Sequence, residues 1–361
     1  MPGLAAVAAR FGRERPLAGV EVLMNMHLSA ETARLGAALA RGGAALAYLD
    51  SGRTPPAPGV VAAVSAQGAR RLGRLDDLAA GAPLLVVEGN GRVFAALHGD
   101  GAPPDALRRV RGISEHTSGG GRLVDDFEAG GGRARVPVVA VYRSALKAVL
   151  ETGLGTSQTA AAALLRGLRR PVAGRRVAVV GFGHVGRGVA RLLTALGARL
   201  RVVERRAEAM QEAVLAGYEL AALDSALATA EIVITATGRS GVVALPRLEA
   251  VREGQILANL SNRPDEIDLA GCLCESNGEG DAAAGHTLWR TPGGRRFSLL
   301  GGGVQLNHAI GRGNPAELMD LSFTLHALVL EWLARDPPAA GVHPPPPTLR
   351  EDAARLCLPV P

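Results

Sequence analysis

The stretch VYRSALKAVLETG, Val141 to Gly153, holds the only lysine of the chain: of its 40 Lys and Arg residues, every other one is arginine. Arginine supplies charge, solubility and salt bridges as well as lysine does. It keeps its proton at any working pH, however, whereas a partly buried amine can release one and take it back. A chain that uses arginine everywhere else thus marks Lys147 as a candidate acid or base. The alternative is a leftover charge on a solvated helix face. Glu151 follows four residues later, on the same face of the helix expected here, where a carboxylate and an amine pair.

A second group of residues has a different chemistry. RVAVVGFGHVGRG places Gly181, Gly183 and Gly186 in G-x-G-x-x-G register after an apolar strand, with His184 and Val185 at the mouth of the next helix. Glycines there allow a tight turn, close approach of backbone to a pyrophosphate and close helix–sheet packing, and the helix N-terminus donates amides to phosphate. Glu204 ends the following strand roughly twenty residues on, the place from which a carboxylate bonds a ribose 2′-hydroxyl. Such a carboxylate repels a 2′-phosphate, so NAD is expected rather than NADP. Arg205 and Arg206, turned inward, would favour NADP.

The elements that must position these groups alternate strand and helix. GVEVLMN, AALAYLD and PLLVVEG read as strands in the first third, with SAETARLGAALARGG a capped helix between them. The glycine-heavy run Gly119 to Ala134 reads as a loop before the strand VPVVAVY. From Arg176 the alternation is more regular. NPAELMDLSFTLHALVLEWLA is expected to be a long amphipathic helix opened by Asn314 and Pro315.

The chain has 361 residues, 47% apolar and only 3% aromatic, which suits helices lying close on parallel sheets. A net charge of +6 from scattered arginines with few stacking residues does not form a nucleic-acid footprint. Cys272, Cys274 and Cys357 fit neither a disulfide framework nor a metal spacing. The N-terminus meets arginine before any long apolar run, and no segment approaches a bilayer span, so a cytoplasmic protein without a membrane partner is expected.

From the lysine helix onward, the chain resembles the S-adenosylhomocysteine hydrolase family. The NAD segment through GYEL, then ITATG, NLSNRPDEID, GGRRFSLLGGGVQLN and SFTLHALVLEWLA…GVH, fall in that family's order, as do MHLSAETARL and RGISEHTSGG earlier. The resemblance implies an α/β fold in which a Rossmann-type parallel-sheet NAD domain is inserted into a second α/β substrate domain. The expected parts are 1–142 and 314–343 in the substrate domain, 143–313 in the NAD domain with its connecting helices, and 344–361 as a proline-rich tail without a clear fold. It implies tightly bound NAD, a nucleoside substrate and a homo-oligomer, dimer or tetramer.

It also implies a reaction: oxidation of the ribose 3′-hydroxyl, elimination of the 5′ thiol, addition of water and reduction of the ketone. Lys147 matches the lysine that takes the 3′-hydroxyl proton, and His27 a histidine that works at C5′. Ser29, Glu31 and Thr32 match a substrate-contact segment, although they also fit a helix cap. Thr117 and Ser118 fall on threonines that hold the nicotinamide half of NAD, and Thr152, Thr237 and Asn307 on other NAD contacts.

Departures gather in the substrate site. The family's Asp-Asn pair is Glu151-Thr152, a glutamate that holds substrate hydroxyls is His116, and an aspartate is Gly89 with Glu88 beside it. Gly-His-Phe-Asp has become Ser261-Asn262-Arg263-Pro264, and a later histidine is Asn314. The C-terminal arm that reaches a neighbour's NAD has no counterpart. Asn262, Arg263, His116 and Asn314 are thus candidate substrate contacts in a refitted pocket, Arg263 for an anion. Two other readings remain at this stage, a non-catalytic NAD-binding homologue and a nucleoside 3′-dehydrogenase with net NAD reduction.

Overall fold

Val22–Met24, Leu84–Val87 and Val177–Val180 are unbroken apolar runs too short for helices, and each forms the interior of a parallel strand covered on both faces. The computed structural model describes residues 1–49, 56–73, 81–99, 102, 104–276, 285–311 and 313–358. The chain divides into two units. One, outer in chain order, is Met1–Glu151 with Ala316–Pro361; the inner one is Thr152–Pro315. By contacts, the lysine segment 143–151 therefore belongs to the outer unit, where the family pattern placed it with the NAD domain.

The outer sheet contains β1 (Glu21–Asn25), β2 (Ala45–Leu49), β3 (Arg70–Leu72), β4 (Leu84–Glu88), β5 (Val110–Glu115), β6 (Pro137–Ala140) and β15 (Gly341–His343). Their order is β3-β2-β1-β4-β5-β6-β15, all parallel. The inner sheet contains β7 (Arg176–Val180), β8 (Arg199–Val203), β9 (Glu219–Leu220), β10 (Ile232–Thr235), β11 (Gln255–Asn259), β12 (Leu273–Ser276), β13 (His286–Arg290) and β14 (Arg296–Leu300). It runs β9-β8-β7-β10-β11-β14 in parallel and ends in antiparallel β13 and β12. Both units thus have the doubly wound order in which strand succession reverses beside the first strand. Ligands in such sheets bind beyond the carboxyl ends at that reversal, between β1 and β4 in one unit and between β7 and β10 in the other.

Three expectations about local structure are corrected. Most of the glycine run is a helix, Ser118–Ala129, capped by Thr117, whose Oγ1 accepts from Gly120 N at 3.0 Å. A Cβ on Gly120 would lie 2.4 Å from a Glu115 oxygen, and one on Gly121 2.5 Å from the Tyr142 ring. These glycines let the helix press against its neighbours; they do not break it. The proline-rich tail is also helical, Pro347–Cys357, because Pro347 occupies the first turn, where its missing N–H costs nothing. The long helix, Ala316–Arg335, is buried on every side from Ser322 to Leu330 and is not amphipathic there. It lies against β4, β5, the N-terminal helix Pro2–Glu14 and the tail helix.

The lysine segment is a π-helix, Leu146–Thr156, a wider winding that concentrates at functional sites. SQTAAAALLRGL continues as the α-helix Ser157–Leu168.

Asp320 on the long helix joins three elements. Its buried carboxylate accepts from Gly3 N and Leu4 N at 2.8 Å each, completing the first turn of the N-terminal helix, and from Thr324 Oγ1 at 3.2 Å. Asp320→Ala would leave two buried amides unpaired. It is expected to lower the unfolding free energy by about 2–3 kcal/mol, read from the shift of a denaturant midpoint.

Candidate active site

Residues with chemistry collect on the carboxyl edge of the outer sheet. His27 follows β1, Glu88 ends β4, Glu115 ends β5 with His116 and Thr117 next, and Lys147 comes shortly after β6. The edge is stitched by backbone, Gly89 N donating to Asn25 O at 2.9 Å and His116 N to Glu88 O at 2.7 Å. Alternation along β5 sends neighbouring side chains to opposite faces. Ser114 and His116 turn toward the long helix, and Glu115 turns toward the helix Ser118–Ala129.

Lys147 and Glu151 are both buried, 7% and 1% exposed, and their Nζ and Oε1 form an ion pair. The second Glu151 oxygen accepts from Ser322 Oγ. Lys147 Nζ also lies 2.9 Å from His116 Nε2, and His116 Nδ1 lies 3.0 Å from His326 Nε2. The row ends where His326 Nδ1 meets Ser114 Oγ at 2.7 Å. Phe323 closes the side of His116, ring centroids 5.5 Å apart. Burial, and then the Lys147 charge, push both histidines down, His116 well below its ordinary range and His326 to about 3. Both rings are therefore neutral at physiological pH. The cluster offers an amine held between a carboxylate and a neutral imidazole, a setting for proton exchange with a hydroxyl.

Sequence reasoning found Lys147, Glu151 and His116 but missed Ser114, Ser322 and His326. A signal was present: Ser322 and His326 are four apart on a largely apolar helix, hence on one face.

A second buried group stands beside it. Glu88 and Glu115 are directly opposed in the parallel register of β4 and β5, and both are fully buried. Glu88 accepts from Asn25 Nδ2 at 2.7 Å and from the amides of Gly89, Asn90 and Val93. Burial raises the Glu88 carboxyl against those donors. Glu115 is raised further, by burial first and by Glu88 second, and its Oε2 has no hydrogen-bond partner.

Several candidates already serve the fold. Ser29 and Thr32 form a reciprocal capping box, and Ser29 Oγ donates to Glu31 at 2.7 Å. Thr117 caps its helix and bonds Gly89 O at 2.8 Å, while Ser118 is exposed in the first turn. His27 is exposed. Both Thr117 and Ser118 belong to the outer unit.

In the inner unit, the carboxyl edge carries the nucleotide motif. Gly181 has φ +97, in the glycine-favoured region, and a Cβ on Gly186 would lie 1.9 Å from Gly181 O. A Cβ on Gly183 would meet nothing within 4 Å, so this turn is open to a ligand. His184 and Val185 begin the helix His184–Ala195. Glu204 accepts from the amides of Phe182, Arg205 and Arg206 at 2.9, 2.7 and 3.0 Å. Burial opposes its charge, but these donors outweigh it and hold the carboxyl below its usual range. Arg206 faces that carboxylate at 3.7 Å.

Thr237 and Gly238 follow β10 and are held by buried Glu266, which accepts both amides and the Thr237 hydroxyl. Asn307 is buried with its Oδ1 unpartnered, an acceptor suited to an incoming amide. The glycine turn, the Glu204 carboxylate and this acceptor fit NAD. Asn314 bonds Thr156 at 3.0 Å, and Arg263 is paired with Asp265 at 3.1 Å and with Ser240, so Arg263 meets a carboxylate of its own chain. Asn262 stands in the loop after β11, and Thr152 lies within the π-helix.

Residues 155–313 match the family model for the S-adenosyl-L-homocysteine hydrolase NAD binding domain. Along 93% of this chain and 81% of its relative, the chain is 34% identical to S-inosyl-L-homocysteine hydrolase of Methanopyrus kandleri. It is 31% identical to adenosylhomocysteinase of Sulfurisphaera tokodaii over 92% of this chain and 82% of that protein. It is 29% identical to S-inosyl-L-homocysteine hydrolase of Methanosarcina mazei over 99% and 89%. The NAD binding domain match over residues 155–313 supports NAD as the cofactor. Among the described residues, no helix is long and apolar enough to cross a membrane.

A carboxyl raised in the folded state contributes stability fully below its unfolded pKa and loses it as pH rises through the folded value. Glu115→Gln is therefore expected to raise the unfolding free energy by about 1–3 kcal/mol at mildly alkaline pH and leave it unchanged in acid. Denaturant midpoints at the two pH values check this. Gly186→Ala is expected to empty the protein of nucleotide, measured as NAD released per chain after denaturation.

Proposed function

We propose that this chain, which belongs to the S-adenosylhomocysteine hydrolase family, cleaves the 5′ thioether of a nucleoside joined to homocysteine through transient oxidation of the ribose 3′-hydroxyl. Its relatives are named for the adenosyl and the inosyl substrate, and these two compounds are the proposed substrate class. The observation that carries the reading is the single lysine amine, buried at the carboxyl edge of the outer sheet between Glu151 and His116.

NAD, when bound, supplies the acceptor for the 3′ hydride and returns that hydride at the end of the cycle. Gly181, Gly183 and Gly186 would cradle its phosphates, Glu204 its ribose hydroxyls, and Asn307 and Thr237 its remaining polar groups. The protein's own work is proton management. Lys147 takes the 3′-hydroxyl proton as C3′ is oxidised, and Glu151 holds the resulting ammonium as an ion pair. The ketone makes the C4′ proton acidic. Loss of that proton expels homocysteine from C5′, and water adds across the double bond. His27 is assigned the proton transfers at C5′. Reduction of the ketone uses the Lys147 proton, so the balance is thioether plus water giving nucleoside plus homocysteine.

Burial serves this scheme by keeping water from the amine and strengthening its interaction with Glu151. His116 replaces a family carboxylate with a group that can accept from an ammonium or donate to an amine.

The test is to give the purified holoprotein S-adenosyl- and S-inosyl-L-homocysteine and follow nucleoside and homocysteine release. Release from either supports the reading; bound NAD that never reduces with either would overturn it. Lys147→Arg, which keeps charge but not proton exchange, is expected to reduce turnover by about 10²–10⁴-fold.

A further inference from the structure

The row Lys147–His116–His326–Ser114 contains groups of a special kind. A neutral imidazole has one nitrogen that donates and one that accepts, and the two exchange roles between tautomers. A hydroxyl can do either. Each junction is a single hydrogen bond: 2.9 Å from Nζ to His116 Nε2, 3.0 Å from His116 Nδ1 to His326 Nε2, and 2.7 Å from His326 Nδ1 to Ser114 Oγ. Ser114 and His326 are fully buried.

Two arrangements satisfy every junction. With Lys147 charged, the ammonium donates to His116 Nε2, His116 donates from Nδ1 to His326, and His326 donates from Nδ1 to the Ser114 oxygen. With Lys147 neutral, Ser114 donates to His326 Nδ1, His326 donates from Nε2 to His116, and His116 donates from Nε2 to the amine. Each ring keeps one proton in both arrangements, and only the nitrogen that carries it changes. A carboxylate in the place of His116 could only accept from the amine, and a carbonyl in the place of Ser114 would fix the direction of the row.

We infer that Ser114, His326 and His116 form a reversible hydrogen-bond chain whose direction follows the protonation of Lys147, letting the buried amine change charge while every junction of the row stays bonded. Ser114 and His326 are positioning residues, acting on Lys147 through His116. The inference rests on the proposed proton exchange at Lys147. The groups facing the row are Glu151, on the amine and 3.7 Å from His116 Nε2, and the neutral ring of Phe323. Glu115, between Ser114 and His116 in sequence, turns to the other face of the sheet.

The experiment is long-range proton–nitrogen NMR of ¹⁵N-histidine in the full-length holoprotein, titrated over the pH range in which it stays folded. Loss of signals in single His116→Gln and His326→Gln variants assigns the two rings. Both rings are expected to remain neutral and to pass together from the Nδ1–H to the Nε2–H form as pH rises. Lys147→Met, without a titrating amine, is expected to abolish the passage. Rings that become charged, keep one tautomer throughout, or switch in Lys147→Met as in the parent would overturn the inference.

Ser114→Ala is expected to uncouple the rings and slow substrate-dependent NAD reduction on the order of tenfold, less than loss of the base itself, without weakening substrate binding. Ser114→Thr, which keeps the hydroxyl, is expected to restore both; failure of Thr to restore joint switching would also overturn the inference. The NMR arm needs no turnover. Joint switching in a protein inert toward both homocysteine nucleosides would refute the proposed function and leave the chain standing, whereas turnover with fixed tautomers would do the reverse.

Discussion

An amine buried beside a carboxylate must find a partner for every proton, because each unsatisfied polar group taken from water costs about 1–3 kcal/mol, and more when charged. Much of the outer unit's site follows from that constraint at Lys147 and Glu151. The π-helix brings the two into contact, Ser322 takes the remaining Glu151 oxygen, and His116 takes the amine. His116 then needs its own partner, which His326 supplies, and His326 needs Ser114. One buried charge thus recruits a strand, a π-helix and the long helix into a single network. The long helix is buried nearly all round, yet it carries Ser322 and His326 on the face where polar partners are required.

Glu88 and Glu115 show the same edge used differently. Glu88 is surrounded by amides, while Glu115 sits opposite it in register and lacks a partner for one oxygen. Like charges held that close do not both ionise readily, so burial and the neighbouring carboxylate raise Glu115 on the face of the sheet turned away from the Lys147 row. The glycines of the following helix allow close packing over Glu115, since a side chain at Gly120 would strike its carboxyl group.

The inner unit repeats the order of the outer one through its first five strands, and the two edges take different chemistry from that shared architecture. Beyond β7 the chain spends glycines and backbone amides, which suit phosphates and ribose. Beyond β1, β4 and β5 it spends titratable side chains, which suit proton transfer. Topology sets where a ligand binds in such sheets, and the residues at the strand ends set what is done to it.

The sequence by itself determined what is local. The glycine register with Glu204 identified a nucleotide turn, because such turns depend on short-range sterics that spacing reveals. The single lysine identified the amine, and the four-residue spacing its carboxylate. Ser29 as a helix cap was equally legible, since its partner lies three residues away. Contacts between distant segments were decided only by tertiary structure. His326 meets His116 across 210 residues of chain, and no pattern within either segment announces it. The glycine run read as a loop is a helix because Glu115 and Tyr142 press on it, and the proline tail is a helix because prolines open it. Spacing reports what neighbours along the chain can do. Which buried groups must satisfy one another is settled by desolvation, and that begins only when the chain has folded.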